Sequence, residues 1–113
     1  MGTLAPVAKG PDVGLCTGKD CRKADGFRTT ERELNRACEV RELSCLDVCD
    51  GPVVVLDLRS EAPVVIERVG NRALVSELIA YVTDGDELSG RVRKRVLSGP
   101  KRAKARRRIA RSS

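Results

Sequence analysis

The residues able to do chemistry in this chain are its five cysteines, Cys16, Cys21, Cys38, Cys45 and Cys49, for it has no histidine. That absence removes the commonest general acid–base, the usual partner of a Ser or Cys nucleophile, and every mixed Cys/His zinc site. Four of the cysteines form two close pairs, C-x4-C at 16–21 and C-x3-C at 45–49, with 23 residues between the pairs. Such pairs can be small core residues, a thiol–disulfide couple, a four-cysteine zinc site or the ligands of an iron–sulfur cluster. Reactive dithiols and zinc knuckles usually use two intervening residues, a spacing that neither pair has. A 2Fe–2S cluster takes two thiolates on each iron, which two pairs supply naturally. Gly51 and Pro52, just after Cys49, suit a loop whose backbone must approach sulfur closely and then stop. Cys38 stands apart and reads as a core filler, with a spare ligand or redox-active thiol as its other role.

The two pairs are useful only if secondary structure brings them together. "DVGLC" (12–16) is a short extended segment that ends on the first cysteine, and "TGKDC" makes a turn around Gly18 and Asp20. In "FRTTERELNRACEV", Thr30 and Glu33 fit a capping box, and Leu34, Ala37 and Cys38 recur at helical spacing. This predicts a helix of about ten residues, with Gly26 before it. "EVRELS" (39–44) alternates as a strand does, whereas "PVVVLDL" (52–58) is the β-branched run of a strand buried on both faces. "PVVIERV" (63–69) is its returning partner in a hairpin. In "NRALVSELIAYV" (71–82), Leu74, Val75, Leu78, Ile79 and Val82 make one stripe, with Asn71 placed to cap the helix and Asp84-Gly85 to end it. The order is β-α-β-β-β-α, an α/β fold with a four-stranded mixed sheet and two helices. If the strands of Val13 and Val40 are neighbours in that sheet, both cysteine loops leave it at the same end.

"CTGKDC" followed by "SCLDVCDGPVVVLDL" resembles the thioredoxin-like 2Fe–2S ferredoxins, and the related small subunit of bacterial NADH dehydrogenases, hydrogenases and formate dehydrogenases. The likeness runs from residue 12 to about residue 82. It implies a thioredoxin-like fold and one 2Fe–2S cluster per chain, with Cys16 and Cys21 as the first pair of ligands and Cys45 and Cys49 as the second. Leu46 and Pro52 match the family's loop positions. It also implies a one-electron carrier without a substrate of its own, redox partners of the reductase, dehydrogenase or hydrogenase type, and a homodimer as one assembly. Main-chain N–H groups around Thr17–Asp20 and Leu46–Gly51 are then the expected donors to the sulfurs, and Asp47 and Asp50 would lower the potential if they point toward the cluster.

At 113 residues the chain is one domain with a modest core. It has no apolar run long enough to span a membrane and no secretory signal at its start, which reads as cytoplasmic and so favours metal or redox roles for clustered thiols over structural disulfides. The net charge of +6 hides a division: residues 1–90 hold 11 Lys/Arg and 16 Asp/Glu, and residues 91–113 hold 11 Lys/Arg and no acid. We therefore divide the chain into a loose arm (1–11), the domain (12–85) and a basic tail (86–113) that is disordered alone or helical on a partner. The tail can dock on an acidic protein surface or bind nucleic acid non-specifically. The aromatics Phe27 and Tyr81 lie outside it, so base stacking is not on offer. A four-cysteine zinc module whose tail makes such contacts is the alternative to the electron carrier.

Overall fold

The computed structural model describes residues 12–46 and 51–112; the arm 1–11, Cys49, Asp47 and Asp50 lie outside the described residues. Four strands form one mixed sheet: β1 (Val13–Cys16), β2 (Val40–Leu43), β3 (Val54–Leu56) and β4 (Val64–Ile66). Their order across the sheet is β2-β1-β3-β4. β1 and β2 run parallel with Cys16 opposite Leu43, and β3 pairs antiparallel with both β1 and β4. The parallel pair needs a crossover, supplied by α1 (Lys19–Lys23) and α2 (Phe27–Ala37). After β4 come α3 (Arg72–Asp84), α4 (Gly90–Arg93) and α5 (Gly99–Ser112). The strands and the helices α2 and α3 occur where the periodicity placed them, but the described residues hold five helices rather than two. The helix α1 is a single turn, too short to leave a periodic signature, and α4 and α5 come from the basic tail.

Side chains alternate across a strand, and this assigns the valine run to two layers. Val54 and Leu56 join Val13, Leu15, Leu34 and Leu78 in the layer shared with α2 and α3. Val53 and Val55 face the other way, into a layer that holds Cys16, Cys21, Leu43 and Val65 together with Leu97, Ala105 and Ile109. All four residues from Val53 to Leu56 are fully buried, as a strand covered on both faces requires.

The start of α2 differs from the capping-box expectation. The helix begins at the entry expected from Gly26, which sits at φ 83°, one turn before the capping box, and no side chain caps it. Gly70 lies so close that a Cβ on Gly26 would overlap its carbonyl. Thr30 is therefore inside the helix and buried, where its hydroxyl donates to the Val69 carbonyl. A backbone acceptor from the neighbouring loop outcompetes the local cap. At α3 the expected signals hold: the Asn71 side chain accepts from Leu74 N–H at 2.9 Å, and Gly85 ends the helix at φ 74°.

The tail folds onto the sheet. Residues 95–97 lie along β4, with Glu67 N donating to Arg95 O (3.0 Å) and Leu97 N to Val65 O (2.9 Å). Lys101 pairs with Glu67 at 3.3 Å, and Arg106 Nε donates to the Pro63 carbonyl at 3.2 Å. These contacts seat Ala105 and Ile109 in the second layer. No helix among the described residues is long and apolar enough to cross a membrane.

Candidate functional site

Because β1 and β2 are parallel neighbours, Cys16 and the chain after Leu43 leave the sheet at one end. The two loops are tied together at their roots. Thr17 donates to the Leu43 carbonyl twice, from its N–H (2.7 Å) and its hydroxyl (2.9 Å). Cys16 N–H donates to Val53 O at 3.0 Å, fastening the first loop to the far end of the second. The turn of α1, where Arg22 N–H meets Gly18 O at 3.0 Å, then carries Cys21 back toward Cys16.

Cys16 and Cys21 are both buried, and the Cys21 thiol donates a hydrogen bond to the Cys16 sulfur. That bond is the main reason the Cys16 thiol is lowered to about 6, against the opposing effect of burial. The backbone N–H groups of Gly18 and Leu46 lower it further. Cys21 is pushed up, first by donating to Cys16, then by burial and by the charges of Cys16 and Cys45, while the Val53 N–H pulls the other way. The contact between the two sulfurs therefore moves their pKa values apart, with Cys16 the more acidic of the pair.

Close packing between the loops depends on two glycines. A Cβ on Gly18 would sit 2.9 Å from Cys45 Cβ and 3.0 Å from its Cα. One on Gly51 would sit 2.9 Å from Cys21 Sγ and 3.0 Å from its Cα. Each loop thus contributes a glycine that admits a cysteine of the other. The Cys45 side chain is exposed, though close enough for its charge to act on Cys21. The structure therefore brings Cys16 and Cys21 into contact and sets Cys45 beside them, while Cys49, two residues before Gly51, lies outside the described residues. Among the described residues, no three Cys, Asp or Glu side chains are gathered at metal-holding distance.

Cys38 is on the other side of the sheet. It ends α2, its thiol donates to Leu34 O at 3.3 Å, and it packs half-buried against the first layer, where burial raises its pKa. Among the donors to sulfur, Gly18 and Leu46 fall within the stretches expected from the sequence, and Val53 does not. Its signal was the position itself: it follows Pro52 and precedes the ladder of β3, so its N–H is available to the site.

The chain matches no family model, no curated protein and no solved structure.

Proposed function

We propose that this chain is a one-electron carrier that holds a single 2Fe–2S cluster through Cys16, Cys21, Cys45 and Cys49. The observation that carries the reading is the interlock of the two cysteine loops, with Gly18 against Cys45 and Gly51 against Cys21. Two backbone loops fixed by one sheet, close enough that a methyl group would not fit between them, are what a thiolate-ligated cluster needs from its protein. The donor chemistry fits as well: the Cys16 thiol is lowered, and the N–H groups of Gly18, Leu46 and Val53 favour negative charge on the sulfurs. The sheet order β2-β1-β3-β4, with α2 crossing between the parallel strands, supports a thioredoxin-like fold for the domain.

A bound cluster supplies reversible one-electron chemistry. The chain's own residues position and tune it. Thr17 and Cys16 N–H lock the loops to the sheet, the glycines let the backbone close in, and the N–H donors stabilise negative charge on sulfur. Burial of Cys16 and Cys21 keeps water from that side, and the exposed Cys45 marks the side open to a partner. No substrate is needed, so we assign no catalytic residue.

The test is the visible spectrum and metal content of protein purified without oxygen. A brown protein with iron and sulfide in equal amounts, bleached by dithionite, is the expected result. Serine at Cys16, Cys21, Cys45 or Cys49 should remove the colour, and Cys38→Ser should keep it. One zinc per chain and no iron would replace this reading with a zinc-stabilised interaction module.

A further inference from the structure

The helix α5 has two unlike sides. Ala105 and Ile109, four residues apart, are buried against the sheet. Lys104, Arg107, Arg108 and Arg111 fall at i, i+3, i+4 and i+7, and together line a shallow depression of about 210 Å³. Lys104, Arg107, Arg108 and Arg111 are all exposed. Every neighbouring pair in this stripe repels at helical i, i+3 or i, i+4 spacing. Residues 91–113 contain no acidic residue, so the stripe presents one sign of charge.

The inward side of α5 belongs to the same layer as Cys16 and Cys21. A partner held by the stripe is therefore on the cysteine-bearing side of the sheet, not the side covered by α2 and α3. We propose that the stripe Lys104, Arg107, Arg108 and Arg111 is a docking surface for an acidic protein, and that docking there presents this side of the domain to it. That the acidic protein is a redox partner rests on the electron-carrier reading; the docking itself does not.

Three features favour a protein over nucleic acid. The stripe spans two turns of helix, about 10 Å, which matches a compact acidic patch and not a long phosphate backbone. Residues 91–113 contain no aromatic residue, Asn or Gln, so stacking and amide readout of bases are missing. Residues 1–90 carry five more acids than bases. A body of that sign repels an extended polyanion while leaving the stripe free to orient against a local patch.

The experiment uses the full chain and two labelled probes of equal charge, a Glu/Asp peptide and a DNA oligonucleotide, followed by fluorescence anisotropy at physiological salt. The peptide should bind more tightly than the DNA. The variant K104Q/R107Q/R108Q/R111Q should weaken peptide binding at least ~10-fold, and R107K/R108K/R111K should retain it, because charge is what docks. A control that removes the same charge elsewhere, R28Q/R32Q/R36Q/R72Q, should stay within about 2-fold of the parent. Equal loss in both neutralised variants, tighter binding of DNA, or no peptide binding each overturns the proposal. Far-ultraviolet circular dichroism separates lost docking from lost folding. The visible spectrum of each variant, read independently, reports whether the cluster assignment stands.

Discussion

The two faces of this sheet are covered by very different means. On one face, α2 and α3 lay broad apolar stripes over Val54 and Leu56, and no group there is reactive except the half-buried Cys38. On the other, Val53 and Val55 share their layer with two cysteines and with a helix that contributes only Ala105 and Ile109. The first face holds the domain together. The second is thinly covered and holds the paired cysteines, so under the proposed function its packing is also its tuning.

Substitutions can separate these roles. Leu78→Ala, in the first layer, should cost about 3 kcal/mol and shift the urea midpoint strongly, with iron lost only as the fold is lost. Ile109→Ala should cost about 2 kcal/mol, because one narrow stripe depends on it. A cost as large as that of Leu78→Ala would erase the distinction between the faces, and no cost would show that α5 does not seal its side. Gly51→Ala should cost about 1 kcal/mol in stability yet greatly lower iron retention, since its methyl group would push on Cys21. Iron content unchanged in that variant would break the link between close packing and metal binding.

The smallest effect lies at the margin of the first layer. The Tyr81 hydroxyl donates to Asp57 Oδ2 at 2.5 Å, and that bond is the main reason its pKa is raised. The unfolded phenol then loses its proton first, so this contribution is present below about pH 10 and fades as pH rises through the folded value. Tyr81→Phe should cost about 1 kcal/mol at neutral pH, and the difference from the parent should shrink in alkaline denaturation curves.

The first face was readable because it repeats. Leu74, Val75 and Leu78 recur with the helix period, Asn71 and Gly85 mark the ends of α3, and the valine run can only be a doubly covered strand. That both cysteine loops leave one end of the sheet was expected on the condition that Val13 and Val40 were neighbours, and the parallel β1–β2 pair meets it. Three features escaped for physical reasons. Thr30 matched a cap locally, but a tertiary acceptor at Val69 took its hydroxyl. The turn α1 is too short for periodicity. The apolar side of α5 consists of one small and one large residue amid seven Lys/Arg, so composition alone reads as a solvated tail.

The pairing of residues 95–97 with β4 has a further consequence. β4 is an edge strand of three β-branched residues, Val64, Val65 and Ile66, in a chain segment without charge. Left bare, such an edge is a template on which other molecules stack. Arg95 and Leu97 occupy its hydrogen-bonding groups and Arg106 closes over Pro63 beside it. The cationic tail thus shields this edge from self-association, and a chain cut before Arg95 should form insoluble fibres before it loses its helices.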